Sequence, residues 1–104
     1  ELMVKGTIPV EGAGKLKVGQ AAIIKVDAYP FEEFGTLEGI VMAVSQAPQE
    51  DNFFVDIHLT DGLMSTYGKK LALKQEMKAS AEIITKKRTL LRRMFEKLLA
   101  INSP

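Results

Sequence analysis

The sequence predicts a mainly β fold, a small antiparallel β-barrel of about six strands followed by a C-terminal amphipathic α-helix. Three observations carry this. Short stretches with apolar residues at every second position recur through residues 1–85, separated by clusters of Gly, Pro, Asp and Asn. The inward positions mix small residues, Ala22, Ala28, Gly39, Ala43, Ala79 and Ala81, with larger ones, as the filled interior of a small barrel requires. From residue 86 the apolar spacing changes to that of a helix. A chain of 104 residues supports one modest core, so 1–85 is read as the barrel and 86–104 as its helix and tail.

The first strand is the clearest. Leu2, Val4, Gly6, Ile8 and Val10 alternate with Glu1, Met3, Lys5, Thr7 and Pro9. Proline cannot donate to a ladder, so Pro9 places the end of the strand near Val10. Residues 11–20 hold Gly12, Gly14 and Gly19 around Lys15, Leu16, Lys17 and Val18, a loop with room for one helical turn and a tight turn at Gly19. Ala22, Ile24, Val26 and Ala28 then line one face of a second strand.

That strand runs into a corner made by Tyr29, Pro30, Phe31, Phe34 and Gly35. Pro30 fixes its own φ and lacks an N–H, and Gly35 has the freedom to start the return. At least one of the corner aromatics is expected to cap an end of the core. In the next strand Leu37, Gly39, Val41 and Ala43 share a face, but Ile40, Met42 and Val44 load the opposite face with apolar surface as well. Three arrangements satisfy this: cover on both sides within the domain, a bulge between Val41 and Val44, or a partner on the outer face. Cover within the domain is favoured, because scattered exposed apolar residues are common on any surface.

Pro48, Asp51 and Asn52 mark a loop, after which Phe53, Val55, Ile57 and Leu59 alternate with Phe54, Asp56, His58 and Thr60 up to Asp61-Gly62. Leu71 and Leu73 predict a short strand, and Met77, Ala79, Ala81 and Ile83 a longer one. The basic run Lys86, Lys87 and Arg88 follows. Leu90, Leu91, Met94, Phe95, Leu98 and Leu99 then recur at helical spacing opposite Arg92, Arg93, Glu96 and Lys97, which predicts an amphipathic helix ended by Asn102, Ser103 and Pro104. Such a helix either lids the barrel or lies on a membrane surface through Arg88, Arg92, Arg93 and Lys97.

Nothing in the residues points to catalysis. The chain has no cysteine, which removes disulfide and zinc–cysteine chemistry. His58 is the only histidine, and with Asp56 two residues away it lacks both a nucleophile and further metal ligands, so it is read as part of a solvated face. The glycines around Lys15 do not make a phosphate loop, because that motif needs Gly where Pro9 stands and Ser or Thr where Leu16 stands. No catalytic, metal or cofactor residue is assigned. A net charge of +1 argues against strong non-specific nucleic-acid binding. No apolar run approaches the roughly 20 residues that span a bilayer. The chain opens inside a strand pattern at Glu1, which reads as a fragment.

Several stretches resemble the haemolysin D type membrane fusion proteins, the periplasmic adaptors of bacterial export machines. They are Ile8-Pro9, Lys17-Val18-Gly19-Gln20, Val26-Asp27-Ala28-Tyr29-Pro30, Phe34-Gly35-Thr36-Leu37-Glu38-Gly39, Val41, Ala81-Glu82-Ile83 and Arg88-Thr89-Leu90-Leu91, in that order. Gln75-Glu76 stands where that family usually has Pro-Gly, so the turn there is expected to be of another type. The resemblance implies a non-catalytic adaptor that links an inner-membrane exporter to an outer-membrane channel. It implies a periplasmic, inner-membrane-anchored protein whose anchor lies upstream of Glu1, and a homo-oligomer in the full-length protein. The candidate interaction surface is then Ile40, Met42 and Val44 with the basic residues of the tail, and Tyr29, Pro30, Phe34, Gly35 and Gly39 form the structural corner. The rival reading is a small-barrel module for single-stranded nucleic acid with Phe54 and Tyr67 as stacking platforms. It is disfavoured because the basic residues concentrate in the tail, away from the strand aromatics.

Overall fold

The computed structural model describes residues 3–11, 13–72, 77–85, 90–95 and 97–99. Five strands build the body: β1 (Met3–Pro9), β2 (Ala21–Val26), β3 (Leu37–Val44), β4 (Asn52–Leu59) and β5 (Ala79–Ile84). Two more, β6 (Leu90–Phe95) and β7 (Lys97–Leu99), come from the tail; a single 3-10 turn (Ala13–Lys15) precedes β2, and a short α-helix, α1 (Phe31–Phe34), sits at the corner. All seven strands belong to one sheet, in the order β6-β5-β2-β3-β4-β1-β7, and every pairing is antiparallel.

Strands β1 to β5 curve into a half-barrel whose concave side is the core. The alternation read from the sequence decides which side chains enter it. Val4, Ile8, Ile24, Leu37, Val41, Ile57 and Ile83 are fully buried, while Lys5, Lys25, Glu38 and Asp56 stand on the other face. Pro9 is the last residue of β1, opposite Asn52, so its missing N–H removes nothing from the sheet interior. The hairpin into β4 turns through Glu50 and Asp51, both at positive φ.

Three expectations are corrected. Ala28 and Ala43, placed inward by the alternation, are exposed, Ala28 in the turn after β2 and Ala43 in β3. Leu71 is buried, but it belongs to a loop, tied by its N–H to the Leu63 carbonyl at 2.9 Å; no strand forms there among the described residues, and Leu73 lies outside them. The predicted C-terminal helix is replaced by strands over residues 90–95 and 97–99. In β6, Glu82 of β5 is the partner of Arg92 and Ile83 that of Leu91; in β7, Val4 of β1 is the partner of Leu98. The remainder of 86–104 lies outside the described residues. The physical reason is the half-barrel's two open edges. A helix would leave β5 and β1 with unpaired N–H and C=O groups, and pairing the tail along both edges satisfies them. Because the two ends of the sheet order, β6 and β7, are separated in sequence by Glu96 alone, one stretch of chain serves both edges.

The corner caps one end of the core. The Gly35 N–H closes α1 onto the Phe31 carbonyl at 2.9 Å, and the Tyr29 hydroxyl donates to the Ala72 carbonyl at 2.6 Å. Tyr29 and Phe34 meet edge to face at 5.1 Å and pack half-buried against the core, whereas Phe31 is exposed. Lys69 lies 5.1 Å above the Phe34 ring and hydrogen-bonds the Glu33 carbonyl at 3.1 Å. Since Phe34 is only partly buried, Phe34→Ala is expected to cost about 1–2 kcal/mol, below the 3–5 kcal/mol of a fully buried ring. A loss of 3 kcal/mol or more in urea titration would show that the ring is buried more deeply than this structure has it.

Candidate interaction surfaces

The doubled apolar pattern of β3 resolves through a bulge. The pairing with β4 runs Gly39 to Leu59, Ile40 to His58 and Val41 to Ile57, then shifts so that Ala43 meets Asp56 and Val44 meets Val55. The extra residue at the shift lets Val41 point inward and Val44, three positions on, pack against the core as well. Ile40 and Met42 stay outside, 38 % and 47 % exposed, so the cover expected for them within the domain is not there. Ala21, the partner of Ile40, is exposed beside them, and Ile84 of β5 and Phe54 of β4 are exposed on the same outer face. An apolar band therefore crosses β5, β2 and β3 through Ile84, Ala21, Ile40 and Met42, whereas on β4 His58 is the partner of Ile40 and Phe54 lies four residues further along. Sequence reasoning found Ile40 and Met42 in it but missed Ile84, which reads as one more alternating position until the sheet order sets β5 beside β2.

Charges frame this band. Lys25 pairs with the buried Glu82 at 3.0 Å and also lies 4.5 Å above the Phe31 ring. Asp56 faces Lys5 across the strands at 3.8 Å, so the carboxylate nearest His58 in sequence has a cation of its own. Among the described residues no three His, Cys, Asp or Glu side chains are grouped to hold a metal ion. Of the tail cations, Arg92 and Arg93 belong to β6 as the partners of Glu82 and Ala81, Lys97 of β7 is the partner of Lys5, and Arg88 lies outside the described residues. The helix expected to carry them is not formed by 90–95 and 97–99, which are strands.

The two exposed rings of the nucleic-acid reading do not share a groove. Phe54 sits near the start of β4 beside Ser45, whereas Tyr67 lies at the corner end against Gly35, roughly 20 Å away along the strand direction. Successive bases stack on neighbouring platforms, which this spacing does not provide.

A model of the AprE-like, beta-barrel domain matches residues 2–86. The chain belongs to that family. The AprE-like barrel is also 34 % identical over 95 residues to the plasmid-encoded hemolysin secretion protein D of Escherichia coli, covering 86 % of this chain and 20 % of that protein. It is 33 % identical over 104 residues to protein CyaD of Bordetella pertussis, covering 95 % of this chain and 23 % of that protein. The chain thus spans about a fifth of the length of these curated relatives. No solved structure matches it. The first of these relatives is named as a secretion protein. No helix among the described residues is long and apolar enough to cross a membrane.

Proposed function

We propose that this barrel is a non-catalytic spacer of a secretion adaptor that links an inner-membrane exporter to an outer-membrane channel. The observation that carries the reading is the match to secretion proteins along nearly the whole chain. A barrel suits this work because its ladder hydrogen bonds resist shear between the ends while the outer face remains available for contacts. The adaptor stands in the periplasm, and its membrane anchor is carried by parts of such a protein beyond the matched segment. The test is a chimaera in which this chain replaces the matching segment of the Escherichia coli hemolysin secretion protein D. Export of hemolysin is expected to persist, with the chimaera crosslinking to the exporter in cells. A chimaera that is folded and membrane-anchored but exports nothing and crosslinks to nothing would sink the proposal.

The apolar band makes contact between copies part of the same reading. An exposed band of this kind on a half-barrel fits a weak contact reinforced elsewhere in a longer protein. The 104-residue chain is expected to self-associate weakly at millimolar concentration, and Met42→Glu to return it to monomer by placing a charge in the band. Sedimentation profiles that are monomeric for both proteins would leave the band without this role.

A further inference from the structure

We infer that the end of the half-barrel opposite the corner holds a binding cleft for an extended acidic segment of a partner protein. The inference deepens the adaptor reading and rests on it for the kind of partner. The cleft has a volume of about 610 Å³, within the range of sites that hold small ligands or short peptide stretches, and lies between the loop before β2 and the end of β5. Lys15 and Lys17 line it together with Val18, Gln20 and Ile84, and no acidic side chain does so among the described residues. Val18 is 63 % exposed and Ile84 is exposed beside it, so the lining is part cationic and part apolar.

The loop is built to hold this shape. Leu16, between the two lysines, is buried in the core and anchors them. The Gln20 side chain accepts the Lys17 N–H at 2.9 Å and donates to the Lys15 carbonyl at 2.8 Å. The Gly19 N–H donates to the Val41 carbonyl at 2.8 Å, and the Val41 N–H to the Gln20 carbonyl at 2.9 Å, which fastens the loop to β3. A site fixed in advance loses less freedom on binding. The same bonds occupy the N–H groups of Lys17 and Gly19, so an anion here meets ammonium groups rather than the backbone cradle of a phosphate loop.

The ligand class follows from this lining. An extended chain sends alternate side chains to opposite sides, so a segment alternating acidic and apolar residues offers carboxylates to Lys15 and Lys17 and apolar groups to Val18 and Ile84. A nucleic acid would need a ring for its bases, and no aromatic residue lines the cleft among those described. A membrane surface is the weaker fit. Recognition there normally takes a cluster of several cations on a protruding surface, whereas two lysines in a concave cleft match two carboxylates.

The test titrates the 104-residue chain, at low salt and by two-dimensional amide NMR, with a capped hexapeptide alternating glutamate and leucine. Saturable shifts are expected at Lys15, Val18, Gly19 and Ile84, with none from the peptide in which lysine replaces glutamate. Lys15→Glu combined with Lys17→Glu alters two exposed side chains and is expected to weaken binding about tenfold or more while leaving the spectrum of the core unchanged. Absence of shifts, or shifts indifferent to the charge reversal, overturns the inference. Shifts produced by phosphatidylglycerol vesicles and not by the peptide also overturn it, in favour of a lipid contact. The titration reads the cleft and the chimaera reads export, so a failed titration beside a working chimaera removes the cleft and leaves the adaptor function standing.

Discussion

Gly39→Val is expected to destabilise the chain by about 3 kcal/mol or more, because the site has no room for any side chain. A Cβ at residue 39 would stand 2.6 Å from the Ile57 Cγ2 methyl, 2.8 Å from the His58 carbonyl oxygen and 3.4 Å from the Ile24 Cδ1 methyl. The second of these is backbone. The first belongs to a fully buried, β-branched side chain with little rotamer freedom, so neither neighbour gives way without disturbing β4. Gly39 is the partner of Ala22 on one side and of Leu59 on the other, so a shift here spreads through both ladders of the central strand. Gly39→Ala is expected to show the same effect at lower amplitude. Urea unfolding followed by circular dichroism measures it, and a loss below about 1 kcal/mol for valine would mean that β3 and β4 are not this close.

Gly35→Ala should cost about 2–4 kcal/mol, from a different cause. Gly35 has φ 85° and ψ −168°, a region that is essentially reserved for glycine. The added Cβ would also lie 2.7 Å from Thr66 Oγ1 and 3.0 Å from the Tyr67 backbone nitrogen. Thr66 cannot simply rotate away, because its hydroxyl accepts the Thr36 N–H at 3.1 Å while its own N–H donates to the Thr36 carbonyl at 2.9 Å. The damage therefore falls on the contact between the corner and the loop after β4. Amide exchange at Thr36 and Thr66 is expected to accelerate more than exchange in β1, and uniform acceleration across the sheet would point to a global loss instead.

Much of the barrel was legible because burial on one face imposes a period of two. Val4 and Ile8, Ile24 and Val26, Val55 and Ile57, and Ala79 and Ala81 were all placed inward from that period, and all are buried. The corner was legible for another local reason: Pro30 and Gly35 restrict or extend their own backbone whatever surrounds them. Leu71 was also placed inward, but its burial is achieved by a loop, since a buried leucine does not specify the backbone that delivers it. The candidate surface was legible in half. Ile40 and Met42 stand out as surplus apolar residues in one strand, whereas Ile84 and the loop lysines acquire meaning only from what the sheet sets beside them.

By itself, then, the sequence determined what is local: which residues alternate, where Pro9 ends a strand, that Pro30 and Gly35 make a corner, and that no catalytic constellation is spelled out. Tertiary structure decided what depends on distant partners. Leu90 to Leu99 carries a spacing that suits a helix, yet residues 90–95 and 97–99 are extended, because the open edges of β5 and β1 are satisfied by pairing and a helix leaves them bare. Val44 joins the core because β4 sets the register at which β3 must bulge. In both cases the backbone hydrogen bonds of one strand are completed by residues far along the chain, and a periodicity counted along that strand alone contains no record of them.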